Sequence, residues 1–165
     1  MTIPMKGGAA FEAFLDKLPY NIQKGAARSG VTAVAGVYRD AIRTNAPRVS
    51  GEYAKKIKTS SANARRNGDV TIRVYVERGG HGNLGHLLEY GVAPHDIEIG
   101  PGKVAEFGDD KVSGVISHPG FAAQPHFWST IDVVTPEAIA AFGVKARESI
   151  KRNTGFTAPL VEIAA

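Results

Sequence analysis

The sequence predicts an α+β fold with a long N-terminal helix, an antiparallel sheet of about four or five strands, and C-terminal helices packed on the sheet. Three observations lead to this prediction. Apolar residues recur every three or four positions up to Asn45, they alternate with polar residues from Tyr53 onward, and the helical spacing returns after Gly120. Strands that follow one another directly along a chain usually pair antiparallel, so the middle of the chain is expected to form a meander.

The length of the chain predicts one domain. It has 165 residues, of which 43% are hydrophobic and 22% charged, and this composition is sufficient for a single core. We therefore expect one domain over residues 1–165, with segments 1–8 and 153–165 either flexible or docked on partners. The apolar runs are far shorter than the ~20 residues that cross a bilayer, and the N-terminus does not resemble a secretory signal, so no membrane association is expected.

The strongest helix prediction covers Ile22 to Asn45. Its apolar residues form one stripe, which consists of Ala27, Val31, Val34, Ala35, Tyr38 and Ile42. Pro47 is expected to end this helix, because a residue that precedes proline is disfavoured in the helical conformation. A shorter amphipathic helix is predicted from Ala9 to Leu18, just before Pro19.

The strand pattern is clearest in VTIRVYVE, from Val70 to Glu77, where apolar and polar residues alternate. Its expected antiparallel partner is Tyr53 to Thr59, because Asn67-Gly68 between them is a strong turn signal. Three further short strands are predicted in the segments DIEIG, KVAEFG and KVSGVIS.

Two helices are predicted at the C-terminal end. Pro125 is expected in the first turn of a short helix that carries Phe127 and Trp128. Thr135-Pro136 resembles an N-cap followed by a first-turn proline, which predicts that a second helix begins there. The apolar stripe of this second helix is Ile139, Phe142, Ala146 and Ile150.

Charge is distributed unevenly along the chain. Residues 1–68 contain 12 Lys and Arg against 4 Asp and Glu, residues 69–165 contain 8 against 12, and the net charge is +4. Such asymmetry suggests that one face meets a polyanion or an acidic partner. Lys55, Lys56, Lys58, Arg65 and Arg66 surround the predicted hairpin, and this loop could contact phosphates without reading sequence, be solvated, or dock on a protein.

Motifs for catalysis are lacking. The chain has no cysteine, which excludes disulfides, thiol nucleophiles and thiolate metal sites. No GxSxG, SxxK or Walker sequence is present, so nucleophilic and P-loop chemistry have no support in the sequence. We predict that the chain is not an enzyme and binds no cofactor.

A metal site is the main chemical alternative. His86 and Glu89 lie three residues apart and would share a face if their segment is helical. A small metal-dependent hydrolase using His81, His86, Glu89 and His95 would be consistent with these residue types. The lone HxxE lacks the paired ligand helices or HExxH framework of known sites, so a structural role for these residues is favoured.

Four short segments occur in order between about Val31 and Ile150. They are Ala46-Pro47, Ser50-Gly51, Leu88-Glu89-Tyr90-Gly91 and Gln124-Pro125-His126-Phe127. Together with the flanking helices they resemble the neck or tail-completion family of long-tailed bacteriophages, which joins the tail tube to the head and is related to minor tail protein Z. Tyr53 stands where leucine is usual in that family, and His126 interrupts the usual Pro-Phe pair.

The resemblance implies a ring of subunits, six in keeping with tail symmetry, and no enzymatic activity. The implied location is the neck of the virion, after synthesis and assembly in the host cytoplasm. The implied partners are the tail terminator or tail tube protein, the head-completion or connector protein, and genomic DNA in the ring lumen. A tail-terminator ring that caps the tube and a free, sequence-independent nucleic-acid-binding protein remain alternatives.

Within this hypothesis, three sets of residues receive roles. Lys55, Lys56, Arg65 and Arg66 are candidates for the DNA channel or for axial docking. Val31, Val34 and Tyr38 are candidates for the subunit interface, because rings require head-to-tail patches and the glycines of this helix permit close approach. Glu89, Gly91, Pro125 and Phe127 are candidates for a structural latch, with the Glu89 carboxylate accepting N–H bonds or pairing with an arginine and Gly91 supplying a conformation that a side chain would penalise.

Overall fold

The fold is taken from a computed structural model, which describes residues 5–48, 50–64, 69–107, 109–160 and 162–163. Within this part of the chain the α-helices are α1 (Gly8–Leu15), α2 (Tyr20–Asn45), α3 (Glu52–Lys55), α4 (Gly85–Tyr90) and α5 (Trp128–Thr154), with a 3₁₀ helix at Gly80–Leu84. The strands are β1 (Met5–Lys6), β2 (Ile57–Thr59), β3 (Asn63–Ala64), β4 (Val70–Thr71), β5 (Val74–Val76), β6 (His95–Glu98), β7 (Ala105–Phe107), β8 (Asp110–Val112), β9 (Val115–His118) and β10 (Glu162–Ile163). The mixture of helices and antiparallel strand pairs confirms the α+β class.

The chain divides into two compact units. The first consists of Met1–Asn83 and His126–Ala165, and the second of Leu84–Pro125. The organisation of residues 1–165 as one domain, and the docking of segments 1–8 and 153–165 on partners, stay predictions. Residues 1–4, 161 and 164–165 of those segments lie outside the described residues.

Helix α2 confirms the strongest sequence prediction. It begins at Tyr20 rather than Ile22, because the carbonyl of Pro19 accepts the backbone N–H groups of Ile22 and Gln23. It ends at Asn45, where Ala46 before Pro47 has the extended backbone (φ −61, ψ 138) that proline imposes on its predecessor. The short α1 overlaps the predicted helix Ala9 to Leu18, but it begins one residue earlier, at Gly8, and ends at Leu15.

Helix α5 differs from the prediction of two C-terminal helices. It is a single helix of 27 residues with Pro136 in its interior, although an interior proline removes one backbone hydrogen bond and costs ~3 kcal/mol. Thr135 does not cap a helix start, because its Oγ1 donates to the Ile131 carbonyl 2.6 Å away. Pro125 lies before the helix, outside its first turn, which begins at Trp128. Burial of Ala138 and other residues beyond the proline stabilises the continuous helix.

The strands form separate two-stranded antiparallel pairs in the described residues rather than one sheet of four or five strands. The first unit contains the pairs β1–β10, β2–β5 and β3–β4, and the second contains β6–β9 and β7–β8. In the hairpin, Ser60 and Arg73 interrupt the ladder: the Ser60 backbone N–H donates to the Arg73 carbonyl, and Ser60 Oγ accepts the N–H of Arg73. In the second unit, the predicted strand KVSGVIS divides at Gly114, whose φ of +83 is incompatible with an extended strand.

The predicted pairing of segments 53–59 and 70–77 is confirmed in part. Ile57 pairs with Val76 and Thr59 with Val74 in antiparallel register. Tyr53, however, belongs to the helical turn α3, not to the strand. A strand through Tyr53, Lys55 and Ile57 would place all three side chains on one face, whereas the helical turn buries Tyr53 and leaves Lys55 in solvent.

The core of the first unit forms where α5 packs along α2. Its central cluster is Phe11, Ala26, Ala146, Ile150 and Ala158. Strands β2, β4 and β5 contact α2, so the principal packing partner of α5 is a helix and not the predicted sheet. Ala158, which follows α5, is 2% exposed, and its carbonyl accepts a hydrogen bond from Arg147 Nε at 2.9 Å.

Candidate docking and phosphate-binding surface

The predicted basic residues of the hairpin fall into three situations. Lys55 lies at the end of α3 with its side chain 71% exposed, and its ammonium forms an ion pair with Glu52. Lys56 Nζ lies 3.1 Å from the Glu77 carboxylate. Arg65 and Arg66 lie outside the described residues. Of the two lysines that the structure describes in this set, Lys55 is mainly exposed and Lys56 is not.

Glu77 neutralises part of the positive charge of the hairpin. Besides Lys56, it pairs with Lys58, whose Nζ is 2.7 Å from Oε1. The hydrogen bonds from Lys58 and then Lys56 lower the pKa of the Glu77 carboxyl below its ordinary value. The backbone N–H of Glu77 also donates to the Lys56 carbonyl, which extends the β2–β5 ladder by one position.

A basic cleft lies where α2 ends and α3 begins. It has a volume of about 410 Å³ and is lined by Arg43, Arg48, Gly51, Ala54 and Lys55. The structure thus places Lys55 beside two arginines that were not singled out in the sequence. The sequence could have indicated this cluster, because both arginines lie close to Ala46-Pro47, where the helix was predicted to end, and a chain that turns back at a proline brings its flanking residues together.

The predicted subunit-interface residues lie on α2. Val31, Val34 and Tyr38 are each half-buried. Tyr38 Oη lies 3.0 Å from Thr135 Oγ1 of α5, so the hydroxyl of Tyr38 already has a partner within the chain. The role of these three residues in subunit contacts stays a prediction.

The segment HLLEYG forms α4 in the second unit. Glu89 lies in its last turn and is 7% exposed. Gly91 follows with φ 75 and ψ 179, and a Cβ there would lie 2.7 Å from the Ala123 nitrogen. The Gln124 N–H donates to the Leu88 carbonyl at 2.8 Å, which fastens the helix end to the same neighbouring segment. The position of Glu89 suits the predicted latch, a role that stays a prediction.

The Pro-Phe segment provides a second buried contact. His126 is 2% exposed, and its Nε2 lies 2.8 Å from the hydroxyl of Tyr53, which is 5% exposed. Phe127 is half-buried and packs edge to face against Trp128. Pro125 is exposed. The side chain that holds this segment in the interior is therefore His126, which the latch prediction did not include.

The histidines do not assemble a metal site among the described residues. His95 and His118 face each other across β6 and β9 with ring centroids 5.0 Å apart, while His81 and His86 are exposed. No group of three or more His, Asp or Glu side chains in the described part of the chain is placed to hold a metal ion. In the same part of the chain, every helix is too short or too polar to cross a membrane.

Comparison with known proteins gives one match. Residues 9–91, just over half of the chain, match the model of a family described as "Bacteriophage HK97-gp10, putative tail-component". No curated protein and no solved structure matches the chain. The matched region contains α1 except for Gly8, together with α2, α3, the paired strands β2 and β5, and α4.

Proposed function

Because the chain belongs to the HK97-gp10-like family of bacteriophage tail components, we propose that it forms a ring at the head–tail junction, where it completes the tail and joins it to the head. A tail component is a structural virion protein and acts through contacts with other virion proteins. The family match is the observation that carries this proposal.

In this proposal the subunits contact one another head to tail, because only heterologous contacts close into a ring. Val31 and Val34 contribute to one patch through the half-buried surface that they present on α2. Six copies would match the symmetry of the tail. One rim docks on the tail terminator or tail tube protein and the other on the head-completion or connector protein.

Genomic DNA would pass through the lumen of such a ring. Basic side chains that face the lumen attract phosphates by counterion release and do not depend on base sequence. Lys55, Arg65 and Arg66 are our candidates for this lining or for axial docking. Lys56 is a weaker candidate, because its side chain is only 35% exposed whereas that of Lys55 is 71% exposed.

The position in the virion is tested by imaging purified particles that carry a tagged copy of this subunit. We expect label at the head–tail junction and tailless or unjoined heads when the protein is absent. Label along the tail tube, at the distal tip, or only on free protein would overturn the proposal. Label confined to the end of tubes that lack heads would instead identify a tail terminator.

The predicted role of Arg65 and Arg66 is tested by the double substitution Arg65→Glu and Arg66→Glu. We expect a loss of infectious particles, because the reversed charges would repel DNA or an acidic docking partner. An unchanged yield of infectious particles would show that neither residue is needed for either role.

A further inference from the structure

We propose that the cleft between α2 and α3 binds phosphate groups of the DNA backbone through Arg43, Arg48 and Lys55. This inference rests on the proposed function for the identity of the polymer, while the cleft itself is a feature of the fold. The cleft combines Lys55, which the sequence suggested as a DNA-channel or docking residue, with two arginines that lie outside the hairpin.

The three side chains come from different pieces of secondary structure. Arg43 lies in the last turn of α2, Arg48 in the connection after Pro47, and Lys55 at the end of α3. Gly51 reverses the chain between them with a φ of +77, in the left-handed region that glycine adopts readily. Gly51 and Ala54 line the cleft with little bulk, which leaves room for an oxyanion between the cations.

The local charge balance favours an anion. Arg39 binds Asp40 through two hydrogen bonds of 2.7 and 2.8 Å, and these bonds lower the pKa of the Asp40 carboxyl. Arg43 Nη1 is 4.0 Å from the same carboxylate, so its charge is only weakly compensated. Around the cleft, four positive charges face two negative ones, which leaves a net charge of +2. The charges are those of Arg39, Arg43, Arg48, Lys55, Asp40 and Glu52.

Arg43 is held in a fixed orientation. Its Nε donates to the Ile57 carbonyl at 2.8 Å, and its two terminal nitrogens keep donors for other acceptors. A guanidinium that is already oriented loses less conformational freedom when it binds an oxyanion. Arg48 is exposed, and in the described residues no carboxylate lies within ion-pair distance of it. Both arginines can therefore bind phosphate without breaking a strong ion pair.

A phosphate polymer fits this surface better than a carboxylate of a protein. An exposed pair between one of these cations and a single carboxylate contributes only ~0–1 kcal/mol. DNA instead presents a continuous line of charge, and each neutralised phosphate releases counterions and strengthens binding at low salt. A wide, exposed and positively charged cleft is suited to such a ligand, since its cations can engage adjacent phosphates at once.

The test is binding of the full-length protein to a fluorescent DNA duplex of mixed sequence, measured by anisotropy at low and at physiological salt. For Arg48→Glu we expect about tenfold weaker binding at low salt. The slope of log affinity against log salt concentration should become shallower by the equivalent of about one phosphate contact or more. Lys55→Gln gives a second, milder probe of the cleft. The thermal unfolding of each variant shows that it is folded.

The matched control is Arg28→Glu, which makes the same charge change at an exposed position of α2 away from the cleft. We expect less than about a twofold effect, because general charge is screened over ~10 Å. Equal losses for Arg28→Glu and Arg48→Glu would overturn the proposal, as would the absence of DNA binding at low salt. Displacement of the labelled duplex by poly-glutamate at a lower charge concentration than by an unlabelled duplex would also overturn it and would identify an acidic protein as the ligand.

Failure of this inference is distinguishable from failure of the proposed function. If particles are labelled at the head–tail junction but the protein does not bind DNA through Arg48, the proposed ring is supported and the proposed phosphate site in the cleft is excluded. If label lies away from the junction but DNA binding depends on Arg48, the phosphate site in the cleft is supported and the ring at the junction is excluded.

Discussion

The hydroxyl of Tyr53 lies 2.8 Å from Nε2 of His126, and the two rings meet edge to face with their centroids 5.3 Å apart. Both side chains are buried, and they are separated by 73 positions in the sequence. Their direct contact joins α3 to the segment before α5.

Removal of the Tyr53 hydroxyl is expected to destabilise the first unit. Tyr53→Phe keeps the ring but takes away the partner of a buried imidazole nitrogen, which costs about 1–3 kcal/mol in the free energy of unfolding. Urea denaturation measures this change. Tyr75→Phe, at a strand position that is 40% exposed, is the control and should change stability by less than about 0.5 kcal/mol. Equal effects of the two substitutions would contradict a specific role for the bond.

Gly30 is expected to be required for the packing of α2 on α5. A Cβ at this position would lie 2.5 Å from Cδ2 of Phe142, so Gly30→Ala should destabilise the protein by about 1–3 kcal/mol through overpacking. Gly36→Ala on the same helix meets no atom within 4 Å and should stabilise the helix by up to ~1 kcal/mol. Chemical denaturation of both variants gives the comparison, and Phe142→Leu in the Gly30→Ala background should restore part of the loss. A stabilising Gly30→Ala would refute the close contact.

Gly91 is expected to be irreplaceable for a steric reason beyond its backbone angle. Gly91 and Gly102 both have positive φ, 75 and 73. A Cβ at Gly91 would lie within 3 Å of backbone atoms of Phe121 and Ala123, whereas a Cβ at Gly102 would meet no atom within 4 Å. Gly91→Ala should therefore cost at least about 1 kcal/mol more than Gly102→Ala. Urea unfolding of the two variants measures the difference. Similar losses in both would show that conformational strain alone accounts for the glycine.

Glu89→Gln tests the latch. Glu89 is buried, and among the described residues no buried side-chain nitrogen or oxygen lacks a hydrogen-bond partner. Exchange of an acceptor oxygen for an amide donor should cost about 1–3 kcal/mol or weaken assembly of the ring. Differential scanning calorimetry and light scattering measure these two effects. Glu98→Gln, at an exposed position of β6, is the control. A Glu89→Gln protein with unchanged unfolding temperature and assembly would remove the latch role.

The hairpin is expected to lose stability in acid through Glu77. The pKa of this carboxyl is lowered in the folded chain from its ordinary value of 4.5, so its contribution is present above pH 4.5 and is lost as the pH falls through the lowered value. Protection factors of the β2 and β5 amides, measured by hydrogen exchange, should fall over this range in the wild type and less in Glu77→Gln. Glu106→Gln, which removes a carboxylate that pairs with Lys111, should leave these amides unchanged. Equal acid sensitivity in wild type and Glu77→Gln would exclude this ion pair as the cause.

The sequence alone determined the features that depend on local periodicity and on backbone chemistry. Most of α2, its end before Pro47 and the antiparallel pairing of Ile57–Thr59 with Val74–Val76 follow from patterns within the segments themselves. The order of short motifs along the chain was sufficient to indicate a phage tail component, which the family match confirms. These features could be predicted because their causes are contained in the segments themselves.

Only the tertiary structure decided the features that depend on contacts between distant segments. Packing against α2 carries α5 through Pro136, and burial of Tyr53 against His126 turns the expected start of a strand into a helical turn. The reversal at Gly51 brings Arg43, Arg48 and Lys55 around one cleft, although their spacing follows no recognisable motif. The physical reason is the same in each case: local preferences differ by a few kcal/mol at most, and side-chain contacts between residues far apart in the chain are large enough to override them.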